Sequence, residues 1–412
     1  MSPLLLQTLT AFCVTLGAIF ALSPLARKLG LTDKPNARKR HQGEIPLVGG
    51  AAIFIALVIG GFLWGDSNKS LIMVNGNDAL WVFMLSGLVL TTMGTLDDRY
   101  QLGVFMRTLT EVAVALIVIE GLELRVGSLG NLFGDGAVKL SPTIAYPFTI
   151  VAIFGIINAF NMLDGMDGLL GSLVLVALVT LYLFTGIAPG FVSLFIGASL
   201  VAFLASNLKL SPLIPKVFLG DAGSRLLGFI MVCLILAAAS QQVGGKKLIS
   251  PATALFIVAL PLYDMVFTTL RRVIRKGNPF AADRSHIHHL MKDLGFSDRR
   301  ALILIVTTSL SLSFVGVMMH RAGVAESYQL ATFVGSFLMY SFLISQAWQV
   351  AKRLQAANTA INVSFTAETG SAALPSDNPS DPQEPKSSGQ QGKGTTLTQE
   401  AVKDGKVTEF RR

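Results

Sequence analysis

The sequence predicts an all-α polytopic membrane protein of about eleven transmembrane helices, with a periplasmic N-terminus and a cytoplasmic C-terminus. Three observations carry that expectation. Of 412 residues, 52% are hydrophobic and only 14% charged, with a mean hydropathy of +0.60. A soluble chain carries about 25% charged residues, so these charges are too few to coat a water-exposed surface of this size. Apolar runs near the ~20 residues that span a bilayer recur at 3–26, 46–64, 79–96, 105–121, 141–160, 168–186, 188–206, 224–241, 250–270, 301–319 and 327–349. Finally, Lys and Arg segregate between alternate connections, as membrane orientation requires.

The first run occupies a signal-peptide position. No positive segment precedes it, however, and no small-residue cleavage site followed by a soluble domain appears, so it reads as a retained span. The fourth run holds Arg107 and Glu111, which places its first turns at the water interface or in a polar cavity. Nineteen of the 33 Lys and Arg residues fall in the connections 27–45, 97–107, 207–225 and 271–300, against six in the intervening ones. The basic side is therefore cytoplasmic, and its charge would attract an anionic substrate. The same segregation accounts for the pI near 9.5 without nucleic acid. Cys13 and Cys233 lie in apolar runs and read as small buried hydrophobes. Residues 1–350 form the membrane domain. From about 355 to 412 the chain turns rich in Ser, Pro, Gln, Gly and charge, a composition that predicts a disordered cytoplasmic tail. No internal repeat is evident, which weighs against an inverted-repeat transporter.

Polar clusters concentrate on the cytoplasmic side, where ionisable groups near membrane depth call for a functional reading. Asp97 and Asp98 are adjacent acids at the end of the third run. A cation or a phosphate site rich in basic groups would relieve their repulsion, and an ordinary hydrated helix end partnered by Arg99 would do so as well. Asn158, Asn161, Asp164 and Asp167 recur every three positions, so on a helix they share one slowly rotating face. Gly165 and Gly168 permit a break between spans or the close approach of a ligand. Carboxylate and carboxamide oxygens suit a hard cation such as Mg²⁺. Asp221 stands between Gly220 and Gly223 before an apolar run, where helix N–H groups could meet phosphate or Asp could be a plain N-cap. The longest basic connection carries Arg284, His286, His288 and His289 among Arg271, Arg272, Arg275 and Lys276. Without cysteines or an H-E-x-x-H pattern nearby, phosphate and hydroxyl recognition fits better than zinc; attraction to anionic membrane lipid is the alternative. The connection Asp33–His41 has the same two readings. Together the clusters point to phosphoryl transfer between a lipid phosphate and a soluble nucleotide compound, a chemistry that needs chiefly positioning and charge neutralisation.

The strings DKPNARKRHQGEIPLVGG, GTLDDR, NAFNMLDGMDGL, FLGDAGS and DRSHIHHLMKDLGF, in this order and between these spans, resemble the polyprenyl-phosphate N-acetylhexosamine-1-phosphate transferase family (glycosyltransferase family 4) over roughly residues 1–350. Within it, HIHH looks like the bacterial branch that uses UDP-GlcNAc and undecaprenyl phosphate. His286-Ile287-His288 departs from the triple-histidine string of relatives acting on UDP-MurNAc-pentapeptide. The resemblance implies transfer of GlcNAc-1-phosphate to undecaprenyl phosphate with release of UMP at the cytoplasmic face of the bacterial inner membrane, the first membrane step of O-antigen or other cell-surface polysaccharide synthesis. It implies that Asp221 and Asn161 hold Mg²⁺ or Mn²⁺, and that Asp97 and Asp98 lie beside the reacting phosphates, one acting as base. It further implies activity or nucleotide roles for Asp164 and Asp167, diphosphate contact for Arg107, and a nucleotide-sugar pocket around Asn158, Arg284, His286, His288 and His289. A homo-oligomer is left open. So are a FucNAc, QuiNAc or MurNAc-pentapeptide donor and, more distantly, a lipid-linked-sugar transporter.

Overall fold

The computed structural model describes residues 2–34, 43–64, 77–187, 190–240, 242–243, 246–277 and 286–370. The connection 35–42, the segment 278–285 with Arg284, and the tail from 371 lie outside the described residues.

Each of the eleven apolar runs becomes helical. The helices are α1 (Pro3–Leu29), α2 (Gly49–Trp64), α3 (Asn77–Tyr100), α4 (Val104–Gly121), α5 (Pro142–Leu163), α6 (Leu169–Thr185), α7 (Phe191–Asn207), α8 (Gly220–Ser240), α9 (Pro251–Leu255), α10 (Ala259–Ile274), α11 (Ile287–Asp293), α12 (Asp298–Arg321) and α13 (Glu326–Gly370). Seven helical segments among the described residues are long and apolar enough to cross a membrane, while α2, α6 and α7 are apolar but shorter. The ninth run is not one regular helix. A 3₁₀ turn at Phe256–Val258 separates α9 from α10, and Pro261, which has no N–H to donate, lies just beyond it. Three two-stranded hairpins are the described β structure.

Local sequence explains the helix ends. Ser2 caps α1 by accepting the Leu5 N–H, Pro3 occupies the first turn, and Gly30 closes the helix at φ 66°, as N-terminal Pro and C-terminal Gly do in general. Burial explains the arrangement. In α8, 94% of the most apolar window is enclosed, against 22% in α1 and 11% in α13. A helix apolar on every side belongs at the centre of a membrane bundle, and α8 is packed by α2, α3, α5 and α6. The peripheral helices turn large apolar side chains such as Leu4, Phe62, Leu310 and Phe342 outward. Cys13 faces outward with them, contrary to the expected burial, because α1 packs through the stripe Gln7, Ala11, Thr15 and Ile19; Cys233 is buried as expected, and both thiols are free. Met1–Asn358 forms one compact unit. Helical backbone reaches Gly370, so residues 355–370 are helical where a disordered tail was expected.

Candidate active site

The N-terminus of α8 organises the site. Its first N–H groups, on Asp221 and Ala222, point at the Asp98 carboxylate at 3.0 and 3.4 Å. Asp98 therefore caps α8 from α3, and these N–H groups do not form the open phosphate cradle that was one reading of Gly220 and Gly223. The glycines serve packing instead. A Cβ on Gly50 would collide with the Gly223 backbone, and one on Gly94 with that of Ala222, so α2 and α3 can approach α8 only without side chains there. The segment before α8 is held like a strand: Phe218 N–H donates to Pro46 O at 2.9 Å, and Gly49 and Gly50 donate to Phe218 O and Leu219 O at 3.0 and 3.1 Å.

One turn into α8, Arg225 is buried at the centre of the carboxylates. Its guanidinium lies 2.8 Å from Asp97, 3.2 Å from Asp221 and 3.4 Å from Glu111. Arg107, partly exposed, approaches Asp97 at 3.4 Å. Asp97 is thus enclosed by two cations with 3% side-chain exposure, whereas the Asp221 side chain is 35% exposed. Of the two acids expected beside the reacting phosphates, Asp97 is sealed behind Arg225 and Asp98 is half-buried. Asn158, expected in the sugar pocket, instead donates to Glu111 at 2.6 Å and to Phe154 O at 2.9 Å. Asn161 donates to Asp221 at 3.1 Å and to Ser224 at 2.8 Å.

The three-residue phasing of Asn158, Asn161, Asp164 and Asp167 holds only for the two asparagines. Helix α5 ends at Leu163, Asp164 leaves the helical conformation (φ −79°, ψ 59°), and Gly168 adopts φ 77° before α6. The turn between them still aims its acids at the cluster. Burial, reinforced by the carboxylates of Asp221, Asp98 and Asp167, holds Asp164 well above the usual carboxylate range. Asp167 pairs with Lys216. Asn207 ties this turn to the segment before α8, accepting from Gly168 N–H at 2.6 Å and donating to Val217 O at 3.0 Å.

The histidines arrive from the far side. Asp264 on α10 is buried, meets His286 Nδ1 at 2.7 Å, and accepts the Ile287 N–H at 2.9 Å and the Tyr340 hydroxyl at 3.0 Å. This anchor starts α11 and brings the His288 ring so close to Gly165 that a Cβ there would overlap it. His286 and His288 are stacked with centroids 6.0 Å apart, and His289 lies 4.1 Å from His288. Burial, with His289 and His286 beside it, holds His288 well below the usual imidazole range. His286 and His288 are thus buried supports of the loop rather than open pocket walls. Of the neighbouring cations, Arg272 is buried, and Arg271 and Arg275 line a groove against α13.

Sequence reasoning passed over Glu111, Lys216, Asp264 and Tyr340 as site residues. Asp264 had the clearest signal, a lone acid within an apolar run.

Six carboxylates (Asp97, Asp98, Glu111, Asp164, Asp167 and Asp221) thus meet three cations (Arg107, Lys216 and Arg225) among the described residues. A further cation beside these acids would favour their charged forms and the binding of a diphosphate. Among the described residues no group of three or more His, Cys, Asp or Glu side chains could enclose an ion alone. Mg²⁺ does not need such a cage, since one or two carboxylates plus waters and substrate phosphates suffice. Asp221 is accessible, and the Asn161 carboxamide spends its N–H donors on Asp221 and Ser224, leaving its oxygen to accept. These all-oxygen donors fit Mg²⁺ or Mn²⁺.

The sequence profile of glycosyl transferase family 4 matches residues 80–239. A Salmonella typhi protein described as undecaprenyl-phosphate alpha-N-acetylglucosaminyl 1-phosphate transferase is 37% identical over 353 residues, 84% of this chain and 92% of the relative. Proteins of the same description from Yersinia pestis and Haemophilus influenzae are 36% and 35% identical over 348 and 353 residues. They cover 83% and 84% of this chain and 91% and 96% of their own lengths.

Proposed function

Because the chain belongs to glycosyl transferase family 4, we propose that it transfers GlcNAc-1-phosphate from UDP-GlcNAc to undecaprenyl phosphate, giving GlcNAc-diphospho-undecaprenol and UMP. The observation that carries the reading is convergence: Asp98 bonds the start of α8, Asn161 bonds Asp221, the Asp164 carboxyl is electrostatically coupled to Asp221 and Asp98, and His288 lies against Gly165 next to it, although these residues come from connections far apart in sequence. The site faces the cytoplasm of the bacterial inner membrane in a bundle of eleven spans, with the N-terminus outside. This orientation is supported by the segregation of Lys and Arg.

A phosphate oxygen of the lipid attacks the sugar-bearing phosphorus, the bond to the UMP oxygen breaks, and the proton of a singly protonated lipid phosphate passes to Asp98. Asp97, held by Arg225 and Arg107, positions Arg225 and through it Asp221. Arg107, still partly exposed, contacts the diphosphate. Asp221 and Asn161 would hold Mg²⁺ or Mn²⁺, which would supply charge neutralisation of the diphosphate. The Asp264–His286 anchor fixes the segment that recognises the nucleotide sugar.

Purified protein given Mg²⁺, UDP-GlcNAc and undecaprenyl phosphate is expected to release UMP, with UDP-GlcNAc preferred over UDP-FucNAc, UDP-QuiNAc and UDP-MurNAc-pentapeptide. No release from any donor by folded protein would overturn the enzyme reading, and preference for another donor would overturn the sugar. Asp221→Asn should nearly abolish turnover and weaken Mn²⁺ binding followed by electron paramagnetic resonance. Wild-type binding and turnover would remove Asp221 from the metal site.

A further inference from the structure

We propose that the groove between α10 and α13 binds an anionic phospholipid of the surrounding bilayer. The groove encloses about 440 Å³ and has two chemically distinct stretches. Phe267, Phe337 and Leu338, which precede the cations by one or more turns on their helices, make its apolar stretch, and Leu270 and Ile274, 48% and 80% exposed, flank Arg271 and Arg275. Arg271, Arg275 and Lys352 make its cationic end, and no carboxylate lines it among the described residues. The spacing is that of two facing helical stacks. Arg271 in the last turn of α10 and Arg275 at its C-cap lie one turn apart, as do Trp348 and Lys352 on α13, the spacing at which helical side chains share a face. The Arg271 guanidinium lies 4.8 Å from the centre of the Trp348 ring, and Trp is the side chain favoured at a membrane–water boundary.

An apolar slot ending in three cations beside an interfacial Trp matches an amphiphile with acyl chains at one end and a phosphodiester at the other. Basic pockets between transmembrane helices recognise anionic headgroups in this way, and guanidinium groups suit phosphate oxygens in particular. None of the groove-lining residues belongs to the carboxylate cluster, which favours a resident bilayer lipid over the reacting lipid phosphate.

The location gives the site a consequence. Asp264, two turns before Arg271 on α10, holds His286 and Ile287 and accepts the Tyr340 hydroxyl from α13. A lipid bridging α10 and α13 steadies the two helices that clamp this acid, and so steadies the histidine segment. Binding itself does not depend on the reaction proposed above.

The test compares the full chain with the Arg275→Ala, Lys352→Ala double variant in nanodiscs of phosphatidylcholine containing increasing phosphatidylglycerol. Native mass spectrometry reads the retained lipid, thermal melting checks the fold, and UMP release is followed in parallel. The wild type should retain phosphatidylglycerol and turn over faster as its fraction rises. The variant should need roughly thirtyfold more for the same retention, with wild-type turnover in phosphatidylcholine alone. Equal retention by both proteins overturns the site. Displacement of the retained lipid by stoichiometric undecaprenyl phosphate, but not by glycerol phosphate, would assign the groove to the acceptor and overturn the choice of occupant. Altered retention with no change in turnover would overturn the link to the histidine segment.

Discussion

Replacing Arg225 with Met tests whether one buried cation holds the site together. Its side chain is 3% exposed and touches Asp97, Asp221 and Glu111 at 2.8, 3.2 and 3.4 Å. Met fills similar space but leaves Asp97 with Arg107 alone and Glu111 with only the Asn158 amide. Removing one partner of a buried ion pair costs about 3–5 kcal/mol, because the remaining charge is buried uncompensated. The melting midpoint in detergent should therefore fall by on the order of 10 °C, and UMP release should fall with it as Asp221 loses its orientation. Arg225→Lys should recover little, since an ammonium cannot present a planar fork to three acids. Adding Glu111→Gln to Arg225→Met should restore roughly 1–3 kcal/mol, because the double variant no longer buries that lone carboxylate. A single variant that melts and turns over like wild type, or a double variant no better than the single, would refute the assignment of Arg225 as the common counter-ion.

Gly50→Ala should lower the melting midpoint through overpacking worth about 1–3 kcal/mol, since its Cβ meets the Gly223 backbone, while Gly17→Ala, with nothing within 4 Å, should melt like wild type; equal midpoints would refute the close α2–α8 approach. His288 gives a pH dependence of known sign. Its folded pKa lies below the unfolded value, so the unfolded chain takes up the proton first as pH falls. Stability should be complete above about pH 6.5 and decline below it, and His288→Gln should flatten that decline in melting curves from pH 8 to 5. An unchanged slope would place the acid-sensitive group elsewhere.

Composition and the periodic recurrence of apolar runs were enough to predict a helical membrane bundle, because the bilayer demands ~20 apolar residues per crossing whatever the partners. The same holds for where the polar chemistry gathers: Asp97, Asp98, Asn161, Asp164, Asp221 and the histidines were legible because acids, amides and imidazoles are costly beside hydrocarbon. Their pairings were not legible. Asp97 and Asp98 are adjacent and alike in sequence, yet one is sealed behind Arg225 and the other caps α8. Gly223 read as a glycine placed for a phosphate, and it proves, with Gly50 and Gly94, to be a point where backbones meet. Asp264 and Tyr340, 76 positions apart, share a hydrogen bond that no local pattern announces. Hydropathy and helix-capping rules act over a few neighbouring residues, so a linear chain displays them openly. Which carboxylate meets which cation depends on how α2, α3, α5 and α10 pack around α8, and that is decided only when the bundle closes.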